Sequence, residues 1–230
     1  MIARHGLSRR VVTLMIAAIA VAGLPVERAA AKVTHRIGAG PPYQIYLLKG
    51  LADVFSTGLD FLQTKLSARG IVAEVHSHAD WQKLAQSAIA KWHSGNHGPI
   101  IIIGHSFGAD AAVQMAQTLG DAGVPVALLV AFSPVDSGPA NANVAQAITY
   151  YQSNSAWHGR ITRGVRFHGA LETVDLASAP GITHFNIEKA DNLHAAIIAK
   201  VISLVPSHST AGAHAPAHAV PPSSALVKDQ

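Results

Sequence analysis

The sequence predicts an α/β domain in which a mostly parallel sheet of about six strands is flanked by helices and carries no large lid. The first observation is a β-branched run at residues 100–103, bounded by Pro99 and Gly104, which is typical of a strand buried on both faces. The second is the helical spacing of small and apolar residues directly after it: Ala109, Ala111, Ala112, Met115, Ala116 and Leu119. The third is the alternation of such strands and helices along the chain, which favours right-handed parallel crossovers.

The other elements follow in order from local signals. Ser56 or Thr57 can cap a first helix that continues to Leu66, and Gly70 ends it. A second helix is predicted over residues 81–92, and a last one begins at Asp191 or Asn192 and runs to Leu204. The remaining strands are predicted at residues 44–48, 71–75, 125–132, 144–151 and 171–176.

The two ends of the chain differ from the middle. Residues 1–31 combine Arg4, Arg9 and Arg10 with an apolar run at 11–24 and a final Ala-Ala-Ala, the pattern of a signal peptide. We therefore expect export to the periplasm or the medium, by the general or the twin-arginine route, with no transmembrane span in the mature protein. An uncleaved anchor is the alternative. Residues 32–205 form the predicted domain, and residues 206–230, rich in Pro, Ala and His, are predicted to be disordered.

Charge and composition exclude several classes of function. The chain has a net charge of +4, but residues 1–31 hold four Arg and one Glu, so the charge without them is +1. Nucleic-acid binding therefore has no electrostatic support. No cysteine is present, and His76 and His78 have no evident third ligand, so no metal site is predicted.

The segment Gly104-His105-Ser106-Phe107-Gly108 is a G-x-S-x-G motif between the predicted strand and helix. We call this turn the elbow and the helix that follows it the elbow helix. A turn this tight strains the serine backbone and leaves room only for glycine two residues away on each side. Ser106 is thereby lifted clear of the sheet as a nucleophile. The amide of Phe107, at the helix N-terminus, points to where a substrate oxyanion would form.

With this motif, residues 43–204 resemble the α/β-hydrolase superfamily, in particular its small lipase-like and thioesterase-like members with Gly-His-Ser-x-Gly. The resemblance implies acyl transfer without a cofactor, and a triad in the order serine, acid, histidine. It also implies that Leu51, in the loop after the first strand, supplies a second oxyanion N–H, although the loop begins Lys49-Gly50 rather than the usual His-Gly.

The base must follow Ser106 on a loop. His184 lies between the last strand and the last helix, where the superfamily keeps its histidine, and His194, just inside that helix, is the alternative. The acid is less well specified. Thioesterase-like relatives often carry Asp-Pro after the strand that follows the elbow helix, where this chain has Ser133-Pro134. Asp136 in the same loop is the first candidate.

Asp175, inside the predicted last strand, is the alternative acid, and a dyad weakened by the lack of any acid is the third. The function predicted from these residues is hydrolysis of a small acyl ester or thioester through an acyl-enzyme. The competing prediction is an exported, non-catalytic binding or cell-envelope protein on the same fold. The sequence leaves the acyl group, the leaving group and the oligomeric state open.

Overall fold

The computed structural model describes residues 41–51 and 56–206. The predicted signal peptide (residues 1–31), residues 207–230 of the predicted tail and residues 52–55 of the predicted oxyanion loop lie outside these ranges. The strands are β1 (Gln44–Lys49), β2 (Glu74–Ser77), β3 (Ile100–His105), β4 (Leu128–Phe132), β5 (Pro139–Ala140), β6 (Gln146–Tyr151), β7 (Thr162–Arg163) and β8 (Ala170–Asp175). The helices are α1 (Thr57–Ser67), α2 (Trp81–His93), α3 (Phe107–Asp121) and α4 (Asp191–Leu204), with 3₁₀ turns at His78–Asp80 and Ile187–Lys189.

Six strands form one sheet in the order β2-β1-β3-β4-β6-β8, and every neighbouring pair is parallel. The predicted fold class is confirmed. β5 and β7 form a separate parallel pair of two residues each. Within residues 41–51 and 56–206, no inserted helical subdomain covers the carboxyl edge of the large sheet. The strand order reverses at β1, so the carboxyl ends of β1 and β3 meet at a topological switch point, where α/β sheets place their ligands.

The isoleucine run of β3 is buried because helices cover both faces of the sheet. Ile100 and Ile102 pack into the cluster that contains α2 and α3, whereas Ile101 and Ile103 pack into the cluster that contains α1 and α4. Successive side chains of a strand point to opposite faces, so this division follows from the strand itself. Burial of each isoleucine side chain contributes about 2 kcal/mol to the hydrophobic term of folding.

The second strand begins later than predicted. Residues 71–75 were expected as a strand, but β2 covers Glu74–Ser77. Ile71 is buried, yet its N–H donates to the carbonyl of Leu66 and completes the end of α1. The N–H of Val72 donates to the Tyr43 hydroxyl instead of to a neighbouring strand. Ile71 and Ala73 are thus buried without strand pairing, and Val72 between them is exposed.

In the part of the chain that the structure describes, no helix is both long and apolar enough to span a membrane.

The two glycines of the elbow allow α3 to lie directly on the sheet. A Cβ atom on Gly104 would overlap the Gly108 carbonyl, and one on Gly108 would overlap the carbonyl of Leu48 in β1. Both contacts involve backbone, which cannot move aside as a flexible side chain can. These backbone contacts explain why positions 104 and 108 of the motif are glycine.

Gly108→Ala is expected to destabilise the domain by about 2–3 kcal/mol, because the added methyl group forces α3 away from β1. Urea unfolding followed by circular dichroism measures the change. Gly138→Ala is the matched control, since a Cβ atom there meets its nearest neighbour at an ordinary 3.5 Å. Equal unfolding midpoints for the two variants would contradict this account of the elbow.

Candidate active site

Ser106 occupies the turn between β3 and α3 in a strained conformation. Its φ is 55° and its ψ −127°, a combination that L-residues rarely adopt. Its N–H donates to the carbonyl of Phe132 at the end of β4, which fixes the turn against the sheet. The side chain is 8% exposed and lines a cavity at the carboxyl edge of the sheet. The strain is of the kind stored at a nucleophile elbow.

His184 is the histidine that the structure brings to Ser106. Its Nε2 lies 3.0 Å from Ser106 Oγ, within hydrogen-bond reach of a nucleophile and its base. It stands in the loop between β8 and α4, as predicted. Burial lowers the pKa of His184 below its ordinary value, so the ring is neutral at pH 7 and can accept a proton.

Ser133, rather than a carboxylate, contacts the other nitrogen of this ring. Its Oγ lies 2.7 Å from His184 Nδ1, and the residue is fully buried. Ser133 follows β4 directly and has a φ of 42°. Its hydroxyl is also 3.5 Å from the Trp157 carbonyl, which can only accept. The hydroxyl proton is thus directed to Trp157, and its lone pair accepts Nδ1–H, which leaves Nε2 free to take the proton of Ser106.

Asp136, the first candidate for the acid, is not placed beside His184. It is exposed, three residues beyond Ser133, and its backbone N–H donates to the carboxylate of Asp110. Asp110 also accepts from the N–H groups of Val135 and Ser137, so it holds the whole loop to the first turn of α3. This anchoring directs the loop away from the histidine immediately after Ser133.

The two alternative residues have other partners. Asp175 is exposed at the end of β8, where it accepts the N–H groups of Ser153 and Ala177. His194 is fully buried in α4 and bonds the Glu188 carbonyl through Nε2 at 2.6 Å. Neither residue contacts the reacting pair, because each is occupied in the local structure of its own segment.

The oxyanion residues remain predictions with favourable placement. Phe107 is the first residue of α3, where a helix leaves its N–H groups without intrahelical partners. Leu51 lines the same cavity as Ser106. The N–H of Gly50, just before it, is used in a 2.8 Å bond to Ser56 Oγ. Leu51 therefore offers the next amide along this loop.

His105 ties together the two loops that flank the nucleophile. The Ser56 hydroxyl, which accepts from Gly50, donates to His105 Nδ1 at 2.8 Å. His105 Nε2–H donates to the backbone carbonyl of His184 at 2.8 Å. The ring is 1% exposed, and its burial lowers its pKa to about 4, so it stays neutral and keeps both bonds at physiological pH. His105 thus connects the two loops through its side chain.

The cavity at Ser106 is small and mostly apolar. Its volume is about 140 Å³, and no charged side chain is among its described lining residues, which are Gly50, Leu51, Ser56, His105, Ser106, Phe107, Trp157, His184 and Phe185. Leu51, Phe107, Trp157 and Phe185 are each more than a third exposed and form an apolar rim. A larger cavity of about 430 Å³ lies beside Asn143, which precedes β6, and none of the reacting groups lines it. We place the chemistry in the smaller cavity because it contains the nucleophile and base.

The family model described as serine hydrolase matches residues 61–160, which include the elbow and Ser133. This match, together with the parallel sheet and the strained turn at Ser106, is consistent with the α/β-hydrolase superfamily that the sequence resembles. The match also supports a hydrolase. His184 lies outside the matched range, so its position beside Ser106 comes from the structure. Among the curated proteins, no sequence matches this chain.

Several solved structures are similar to this chain at low sequence identity. A protein assigned to the α/β hydrolase superfamily from Xanthomonas campestris pv. campestris is 16% identical, with 70% of this chain and 98% of that chain covered and a TM-score of 0.38. The pyrethroid hydrolase PytH is 12% identical over 70% and 98% of the two chains, with a TM-score of 0.44. The thioesterase RedJ from the prodiginine pathway of Streptomyces coelicolor is 11% identical over 80% and 97%, with a TM-score of 0.41. No substrate follows from likeness at this level.

Sequence reasoning did not assign roles in the active site to Ser133, Ser56 or Glu188. A signal for Ser133 was present, since Ser133-Pro134 occupies the place of the Asp-Pro pair in the relatives that the chain resembles. Ser56 was identified only as a helix cap, and its side chain instead serves Gly50 and His105. No sequence pattern marks Glu188 as buried.

Proposed function

We propose that this hydrolase cleaves a neutral carboxylic ester or thioester through an acyl-enzyme formed on Ser106. The observation that carries the proposal is the 3.0 Å contact between Ser106 Oγ and His184 Nε2 at a strained strand-to-helix turn. A buried serine next to a neutral imidazole is an activated nucleophile. The turn holds it at the carboxyl edge of a parallel sheet, where substrates reach it.

In the proposed reaction, Ser106 Oγ attacks the acyl carbon while its proton passes to His184 Nε2. The N–H groups of Phe107 and Leu51 stabilise the oxyanion, aided by the positive end of the α3 dipole. His184 then gives its proton to the departing alcohol or thiol, and the acyl-enzyme remains. A water molecule, deprotonated by His184, attacks the acyl carbon, and collapse releases the acid and restores the Ser106 hydroxyl.

The cavity supports a small, uncharged acyl group. A volume of about 140 Å³ is well below the roughly 300–1,000 Å³ of pockets that enclose a drug-sized ligand, so most of a large substrate would extend past the rim. The exposed rings of Phe107 and Phe185 offer apolar surface to the part that extends. Esters and thioesters both satisfy these conditions.

One observation favours the second candidate, a non-catalytic binding module. Ser133 brings no negative charge to His184, and in serine proteases the loss of the orienting aspartate lowers kcat by about 10⁴. Here, however, the Ser133 hydroxyl still selects the correct tautomer of His184, so part of the role of the acid is kept. We therefore favour a slow enzyme over a module without activity.

Labelling with a fluorophosphonate distinguishes the two candidates. We expect one covalent adduct on Ser106, detected by intact mass and peptide mapping, because the neutral His184 can accept its proton. Ser106→Ala should abolish the adduct and aryl-ester hydrolysis together, whereas Ser153→Ala, a serine outside the site, should keep both. A correctly folded wild-type protein that takes no label at Ser106 would support the binding module.

Ser133→Asp is expected to raise kcat on an aryl ester by about 10- to 100-fold, since it places a negative charge on the Nδ1 side of the imidazolium that forms in the transition state. Aspartate also tolerates the positive φ of this position. Ser133→Asn provides the neutral control of equal size and should not show the gain. Equal rates in the two variants would contradict the role of Ser133.

We also propose export of the mature hydrolase, on the strength of the pattern at residues 1–31. The intact mass of protein recovered from the cell envelope or the medium should correspond to a chain that begins at Lys32. Recovery of the full-length chain in the cytosol alone would contradict the proposal. Replacement of Arg9 and Arg10 by Lys tests the twin-arginine route, because it should stop export only if that route is used.

A further inference from the structure

Glu188 is a carboxylate buried beside the site without adequate compensation. It belongs to the 3₁₀ turn Ile187–Lys189, four residues after His184, and its side chain is 0% exposed. Neither of its oxygens accepts a hydrogen bond of good geometry from the residues that the structure describes. An ionisable group buried without close hydrogen bonds is costly, so such a group calls for an explanation.

Charged and titratable groups of β3, α1, α4 and its own 3₁₀ turn lie around Glu188. His105 Nε2 of β3 lies 3.7 Å from Oε2, and Lys189 Nζ of the same turn lies 3.9 Å from Oε1. On the backbone side, His194 of α4 bonds the Glu188 carbonyl and is itself bonded by Lys65 of α1. Burial is the largest cause that raises the pKa of Glu188 to about 7, partly offset by Lys189 and by nearby backbone N–H groups.

His105 connects this carboxylate to the base. The same Nε2–H that faces Glu188 Oε2 donates to the backbone carbonyl of His184, and the two imidazole rings are 5.2 Å apart between centroids. His105 also reaches the Gly50 amide through Ser56. A charge on Glu188 therefore lies next to His105, which binds both of the loops that flank Ser106.

We propose that Glu188 is a positioning residue that acts through His105 on His184. It supplies the negative charge that Ser133 lacks, from a position separated from His184 by the imidazole ring of His105. The inference rests on the proposed roles of Ser106 and His184. An ionised Glu188 keeps the proton of His105 on Nε2, which preserves the bond to the His184 carbonyl. It also favours the imidazolium form of His184, because a charge in a weakly polarisable interior acts over a longer distance than one in water.

The cost of this arrangement is a loss of stability at high pH. A carboxyl group whose pKa is raised in the folded state binds its proton more tightly there than in the unfolded chain. The unfolded chain therefore loses the proton first, and stability falls as the pH rises from the ordinary glutamate value to about 7. Glutamine has the same shape and no charge, so it removes this penalty.

Glu188→Gln tests the inference with three readouts. The imidazole signals of His184, followed by NMR from pH 5 to pH 9, should show a second inflection near pH 7 in the wild type, caused by the ionisation of Glu188, and none in Glu188→Gln. The melting temperature should rise relative to wild type at pH 8 and match it at pH 5. The kcat on an aryl ester at pH 8 should fall about 3- to 10-fold with little change in KM.

Glu172→Gln is the matched control, since Glu172 is exposed on β8 and pairs only loosely with Lys200 at 3.6 Å. It should leave all three readouts unchanged. A merely structural glutamate would give a Glu188→Gln protein with a lower melting temperature at both pH values, and wild-type His184 signals without an inflection near pH 7. That result would overturn the inference. If Glu188→Gln does not fold, Glu188→Met, of similar volume and without polar atoms in the core, carries the same expectations.

The outcome is separable from that of the proposed function. Absence of a fluorophosphonate adduct on Ser106 would refute the hydrolase mechanism, yet the NMR titration of His184 would still decide whether Glu188 acts on it. A normal adduct, together with identical His184 titration curves in the wild type and Glu188→Gln, would refute this inference alone.

Discussion

The close packing of α3 on β1 and β3 is the constraint on which the site depends. Gly104 and Gly108 let the backbones approach until no Cβ atom fits between them. Ser106 must then turn from strand to helix within one residue, and it does so at a φ of 55°. One turn further along the same helix, Asp110 anchors the loop that follows Ser133. The contact between α3 and the sheet therefore places both Ser106, the nucleophile, and Ser133, which contacts Nδ1 of the base His184.

The parts of the structure that sequence predicts well are those set by local patterns. The β-branched run of β3 and the motif after it identify the central strand, the elbow and α3, because period and glycine spacing reflect local sterics. His184 could be selected because the chain order of the superfamily and the need for a loop leave few histidines. The start of β2 was predicted three residues early, since Ile71 and Ala73 are buried without pairing as a strand.

The partner of His184 could not be chosen on local grounds. Whether Ser133 or Asp136 faces the ring depends on Asp110, which lies more than twenty residues upstream and accepts three amides of the loop. The positive φ of Ser133 further sets its direction, and serine is not a residue whose sequence marks such a position. Chemical expectation favoured a carboxylate, but the fold determines which side chain arrives.

In this site the negative charge lies on Glu188, beyond the ring of His105, and a neutral hydroxyl contacts His184 directly. A carboxylate at position 133 would bond His184 directly and stay ionised across the physiological range. At Glu188 the charge is separated from the base by the ring of His105, and burial brings its pKa to about 7. Support for the imidazolium then depends on pH instead of being permanent. A site of this kind combines a neutral hydroxyl, which orients the histidine at every pH, with a buried acid whose ionisation adds to the basicity of that histidine only above neutrality.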